Sequence, residues 1–179
     1  IFRPEGLRGQ TLGIAGYGSI GRELARMANA LGMKVLATKR DVMNPAEEHE
    51  YMVEGTGDPE GNIPERLYPA DALASMARDC DFLVLTLPLT SSTRYVVNEV
   101  VLKAMKDSAF LINVSRGGVV DEAALISALA ANVIAGAALD VFEEEPLPIT
   151  SPLWNMDNVI ISPHVSGNHA RYHEKAAEL

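Results

Sequence analysis

The chain has 179 residues, 47% of them hydrophobic, 22% charged and 6% aromatic, a length that suits one domain and buries a sizeable core. Fifteen basic residues against 24 acidic ones leave a net charge of −9, which excludes nucleic-acid binding through a broadly basic surface. The single cysteine, Cys80, has no partner for an internal disulfide, which points to a reducing, cytoplasmic setting, and no apolar run approaches the roughly 18 residues of a membrane helix.

The N-terminus, Ile1-Phe2-Arg3-Pro4-Glu5-Gly6, carries neither an apolar signal core nor an initiator Met, so the chain reads as processed or as a piece of something longer. Thr11–Ala15 is the first of six short apolar runs; the others are Lys34–Thr38, Phe82–Thr86, Ala109–Asn113, Ile134–Leu139 and Val159–Ile161. Continuous runs of this kind predict strands buried on both faces, as in a parallel sheet. Between them, Ile20, Leu24, Met27 or Ala28, and Leu31 follow the helix period, with Gly32 as the stop. A weaker helical pattern spans Asp71–Arg78, and Asp121 is placed to cap a helix carrying Ala124, Leu125, Ala128 and Leu129 on one face. Strands alternating with helices predict an α/β fold, a doubly wound parallel sheet of the Rossmann dinucleotide-binding type. The stretch Asp41–Glu60 breaks the rhythm with seven acids and no Lys or Arg, and is expected to be a solvated surface excursion.

Gly16-Tyr17-Gly18-Ser19-Ile20-Gly21 is a G-x-G-x-x-G that follows a strand and opens a helix. In that context the first glycine makes the turn, the second lets the backbone approach a pyrophosphate, and the third lets helix pack on strand. Free N–H groups at the helix start then face the phosphates. An NAD site wants a carboxylate at the end of the second strand. This chain instead has Thr38-Lys39-Arg40, two cations suited to a 2′-phosphate, so NADP(H) is favoured over NAD(H).

Ligands of such sheets sit beyond the carboxyl ends of the strands. Arg116 follows the Ala109–Asn113 run, Glu145 follows Ile134–Leu139, and His164 follows Val159–Ile161, so all three converge on the cofactor crevice. A histidine exchanges a proton at neutral pH, a carboxylate orients its ring, and an arginine grips a substrate carboxylate with two prongs. Beside a nicotinamide this set suits reduction of a small 2-keto acid and oxidation of the matching 2-hydroxy acid.

The ordered series Gly16–Gly21, Thr86-Leu87-Pro88-Leu89-Thr90, Asn113-Val114-Ser115-Arg116-Gly117, Leu139-Asp140-Val141-Phe142 with Glu145-Pro146, and Ser162-Pro163-His164 resembles the D-isomer-specific 2-hydroxyacid dehydrogenases along essentially the whole chain. The resemblance implies Arg116, Glu145 and His164 as the catalytic set. It also implies a cofactor lining of Tyr17, Ser19, Ile20, Leu87, Pro88, Val114, Ser115 and Asp140, with Asp140 near the nicotinamide amide; Arg116, His164 and Gly167 complete that surface. It further implies a homodimer through this domain and a separate substrate domain, to which residues 1–8 and 168–179 would lead, leaving 1–179 as the NAD(P)-binding domain. Lys39-Arg40 is more like the family's NADPH-using glyoxylate/hydroxypyruvate reductases than its NAD-using phosphoglycerate dehydrogenases, and Glu145 separates the chain from formate dehydrogenases. The run Val165-Ser166-Gly167-Asn168-His169 and the long acidic excursion depart from the family pattern.

Other features carry less. His169 and His173 would share a helix face but lack a third ligand, so no metal site is expected. Trp154 is expected to pack, and Cys80 to be a buried small hydrophobe rather than a nucleophile. The alternative from another class is a nucleotide-sensing corepressor module without turnover; neither reading involves nucleic acid contacted directly or a membrane.

Overall fold

The computed structural model describes residues 6–46 and 55–168. Seven strands form one sheet in which every pairing is parallel: β1 Thr11–Ala15, β2 Lys34–Lys39, β3 Arg66–Pro69, β4 Phe82–Leu85, β5 Phe110–Asn113, β6 Gly136–Leu139 and β7 Val159–Ile161. Their order across the sheet is β3-β2-β1-β4-β5-β6-β7. Winding therefore proceeds outward from β1 to β3, then returns to β4 and proceeds the other way. The reversal leaves a crevice beyond the ends of β1 and β4, where doubly wound folds bind their ligands.

The helices are α1 Ser19–Ala30, α2 Leu73–Ala77, α3 Glu99–Ala104 and α4 Glu122–Ala130. Strand side chains alternate between faces, and the two faces are covered by different helices. Leu12, Ile14, Val35 and Ala37 pack with Ala25 and Ala28 of α1. Leu36, Leu83, Leu85, Leu111 and Leu139 pack with α2, α3 and α4 through Met76, Leu102 and Leu125. The parallel sheet with two-sided burial is why these strands read as near-continuous apolar runs.

All six expected strands are present, and the Asp121 carboxylate caps α4 by accepting from Ala124 N at 3.0 Å. The Asp71–Arg78 pattern is split into a 3-10 turn, Ala70–Ala72, and the five-residue α2. Two elements were not anticipated. β3 is a four-residue edge strand, Arg-Leu-Tyr-Pro, paired only with β2, so its pattern is not apolar and its last residue has no N–H. α3 has only six residues, begun by Asn98, whose side chain accepts from Val100 N and Val101 N.

The acidic stretch needs a correction. Glu47, Glu48, Glu50 and Glu54 lie outside the described residues, but Asp58 is not solvated: it is 4% exposed and accepts from the Tyr17 hydroxyl and from Ile63 N. The excursion is anchored because a short carboxylate close to two donors gains more from them than it loses in hydration. Among the described residues no helix is long and apolar enough to cross a membrane.

Candidate active site

The phosphate loop leaves β1 at Gly16, whose φ of +102° only glycine adopts without strain. Gly16 N donates to Thr38 Oγ1 at 3.1 Å, Tyr17 N to Thr38 O at 2.9 Å, and Thr86 Oγ1 donates to Gly16 O at 2.7 Å. The ends of β2 and β4 thus fix the turn from both sides. A β-carbon on Gly21 would lie 2.4 Å from Gly16 O, so helix and loop touch there, whereas one on Gly18 would meet nothing within 4 Å. Gly18 also caps α1 without a side-chain bond, and no acid occupies the first turn. Contact at Gly21, open space at Gly18 and unclaimed N–H groups fit a dinucleotide pyrophosphate.

The adenosine end would lie beyond β2. Thr38 is 3% exposed, and both its hydroxyl and its carbonyl are used on the phosphate loop, so it supports the loop rather than facing a ligand. Lys39 is half-buried and Arg40 exposed at the strand's end, where a 2′-phosphate would sit. The Tyr17 side chain, expected to line the cofactor, turns inward instead: it is 3% exposed and bonded to Asp58, leaving only its backbone toward the crevice. Ser19 and Ile20 stay exposed beside a groove of about 570 Å³ that also touches Thr86 and Val114. Leu87 is half-buried against Gly16, and Pro88 is exposed.

On the other side of the crevice, Asn113, Leu139 and Ile161 lie in one register row across β5, β6 and β7. The loops after these residues carry Arg116, Glu145 and His164 from neighbouring strands roughly 4.8 Å apart. Asn113, 1% exposed, shapes the first loop: its Oδ1 accepts from Ser115 N at 3.0 Å and Ser115 Oγ at 2.9 Å, and its Nδ2 donates to Arg116 O at 3.1 Å. Ser115 therefore points into the protein, while the exposed Arg116 donates from Nη1 to Ser115 O and keeps its other N–H groups outward.

His164 and Glu145 meet directly, Nδ1 to Oε2 at 2.7 Å. Glu145 Oε1 also accepts from Phe142 N at 3.1 Å. Burial raises the Glu145 pKa, but the His164 and Phe142 bonds more than offset it and hold the carboxyl below its ordinary value. His164 sits at φ +53°, a left-handed conformation that costs a residue with a β-carbon about 1–2 kcal/mol.

Asp140 holds that conformation in place. Its carbonyl accepts from His164 N at 2.9 Å; its carboxylate accepts from Ser162 Oγ at 2.5 Å, Val165 N at 2.9 Å and Ser166 N at 2.8 Å. Burial pushes this acid up, but those donors outweigh it and leave the Asp140 pKa far below the ordinary carboxylate range. A pKa lowered by folding stabilises above the unfolded value, about 3.9, and that stabilisation is lost as pH falls through the folded one. Asp140→Asn is expected to cost about 1–3 kcal/mol at neutral pH and to flatten the acid limb of thermal stability, read by scanning calorimetry from pH 7 to pH 2. An unchanged acid limb would show that the loop draws nothing from this charge.

Gly167 is exposed two residues beyond Val165, and His169 and His173 lie outside the described residues. No group of three or more potential metal ligands occurs among the described residues. Cys80 is fully buried with its thiol pushed up to about 12, foremost by burial, and Trp154 is half exposed with its indole N–H on Pro148 O. Asn113, Thr86 and Asp58 shape the site through side chains to which the sequence assigns no individual role; Asn113 and Thr86 stand at the ends of apolar runs and within the family-like motifs, whereas Asp58 carries no such signal.

A doubly wound domain with a glycine turn that fits a pyrophosphate, and a histidine–carboxylate pair beyond the carboxyl ends of the same sheet, defines a dinucleotide-binding domain. Residues 2–166 match the family described as D-isomer specific 2-hydroxyacid dehydrogenase, NAD binding domain, and the chain belongs to that family. It is 39% identical over 176 residues to a glyoxylate reductase of Pyrococcus furiosus, covering 97% of this chain and 46% of that protein. It superposes on a phosphoglycerate dehydrogenase of Lactobacillus plantarum with a TM-score of 0.79 and 35% identity, over 94% of this chain and 49% of the other. A D-isomer specific 2-hydroxyacid dehydrogenase of Xanthobacter autotrophicus Py2, in complex with NADPH and MES, gives a TM-score of 0.77 at 35% identity, over 92% and 47%. The chain thus spans about half the length of the curated relatives it matches.

Proposed function

We propose that this chain is the cofactor-binding half of an NADP(H)-preferring dehydrogenase that interconverts a small 2-keto acid, of the glyoxylate class, and its D-2-hydroxy acid. The observation that carries the reading is the 2.7 Å pair of His164 Nδ1 and Glu145 Oε2 on the crevice of the phosphate loop. When bound, the reduced nicotinamide supplies a hydride for the carbonyl carbon. Because Nδ1 is taken by Glu145, His164 presents Nε2 to the substrate and gives its proton to the carbonyl oxygen; in the oxidation it takes that proton back. Glu145 fixes the ring and stabilises the imidazolium, and Arg116 binds the substrate carboxylate through its outward N–H groups.

The substrate side chain would be selected by a further domain, so the 179-residue chain is expected to bind dinucleotide with little turnover of its own; robust keto-acid reduction by this chain alone would contradict that. A cytoplasmic homodimer through this domain is part of the same reading. Its size in solution is checked by light scattering. The cofactor preference rests on Lys39 and Arg40. Lys39→Asp is expected to weaken NADPH binding about tenfold or more and to strengthen NADH, measured by titration calorimetry. Unchanged NADPH affinity would remove the 2′-phosphate from the reading.

A further inference from the structure

The stems of the acidic excursion are tied to the phosphate loop by side chains that the chemistry above does not use. Arg22, on the second turn of α1, is 1% exposed, and its guanidinium lies 4.7 Å over the Tyr17 ring. It donates from Nη1 to Asp58 O at 2.5 Å and from Nη2 to Pro45 O at 2.7 Å. Asp58 Oδ2 takes the Tyr17 hydroxyl at 2.5 Å, and Gly57 N donates to Glu23 Oε2 at 2.6 Å. Pro45 O is also the acceptor for Lys39 Nζ, at 3.5 Å. A connected series therefore runs from Tyr17 and Asp58, through Arg22 and Pro45, to the lysine at the end of β2.

The geometry points to Tyr17 and Asp58 as positioning residues for the extra phosphate of NADPH: they seat Arg22, Arg22 holds the Pro45 carbonyl, and that carbonyl aims Lys39 at the adenosine end of the site. The inference rests on the dinucleotide reading given above. Tyr17 titrates far above an ordinary phenol, through burial first and then through Asp58, so its hydroxyl stays a donor at every working pH. A flexible lysine loses side-chain entropy on binding a phosphate, and an acceptor that holds it in place beforehand reduces that loss. NADH carries no group for Lys39 to meet, so the series acts on one cofactor and not the other.

Titration calorimetry of the 179-residue chain with NADPH and with NADH tests this. Tyr17→Phe and Asp58→Asn are expected to weaken NADPH about fivefold to tenfold while NADH moves less than about twofold, the size of one charge-assisted hydrogen bond. Tyr17→Phe removes a single hydroxyl and keeps the ring under Arg22, which guards against loss of the fold. On a Lys39→Met background the same change is expected to have no further effect on NADPH. Equal weakening of both cofactors, no weakening, or full additivity with Lys39→Met overturns the inference. A wild-type chain that binds neither dinucleotide overturns the function reading itself, and one that binds both equally overturns the NADP(H) preference and this inference with it.

Discussion

His164→Ala is expected to lower kcat/KM for reduction of a small 2-keto acid by about 10²–10⁴-fold in the enzyme that carries this domain, with dinucleotide affinity nearly unchanged. The reason is geometric. His164 is the group bonded through Nδ1 to a carboxylate, and the φ of +53° that Asp140 enforces points it out of the β7 loop. Glu145→Gln separates orientation from charge. The amide still accepts from or donates to the ring, but it carries no charge to stabilise an imidazolium, so reduction falls at neutral pH. Glu145 in the wild type keeps its charge well into acid, because the bonds from His164 and Phe142 hold its pKa low against the effect of burial. Its contribution is therefore fully present above the unfolded value of about 4.3 and lost only as pH falls through the lower folded one. Stopped-flow rates across pH 4 to pH 9 for wild type, Glu145→Gln and His164→Ala check both claims. Full turnover by His164→Ala would reassign the proton donor.

Much of this arrangement was legible before any coordinates. β1 matches its expected bounds because its apolar run is covered on both faces, and β7 matches as well although Ile160 leaves one of its faces exposed. Arg116, Glu145 and His164 each follow such a run, and fold logic alone carries the ends of β5, β6 and β7 to one edge of the sheet; of the three, Glu145 and His164 meet directly. What escaped depends on partners remote in sequence. Asp58 reads as one more acid in a charged loop until Tyr17, 41 positions earlier, and Arg22, 36 earlier, are seen to meet it. Thr38 and Ser115 were expected to line the cofactor, yet both spend their hydroxyls inside the protein, on Gly16 and Asn113. Small polar residues at strand ends satisfy orphaned loop groups as readily as they meet ligands, and spacing does not separate the two uses.

Gly117→Ala is expected to have the largest structural effect of any single methyl added to this domain. A β-carbon at that position would stand 1.8 Å from the carbonyl oxygen of Phe142 and 2.5 Å from Glu143 N. Both are backbone atoms, so no rotamer change relieves the clash; the loop after β5 and the loop after β6 must separate. Arg116 belongs to the first loop, and the second carries Phe142, whose N–H holds Glu145 Oε1 at 3.1 Å. Separation therefore shifts Arg116 and loosens the Phe142–Glu145 bond that steadies the carboxylate on His164. A cost of about 3 kcal/mol or more is expected, seen as a large fall in Tm, in keeping with other severe core overpacking. Gly118→Ala is the matched control. Its β-carbon would meet the Leu89 side chain at 3.3 Å and Arg94 Nη1 at 3.7 Å, and the tips of both flexible side chains move aside at little cost. Thermal melts of the two variants are expected to differ by several degrees or more, with Gly118→Ala near wild type. If Gly117→Ala melts with Gly118→Ala, the loops after β5 and β6 are not in close backbone contact at Gly117.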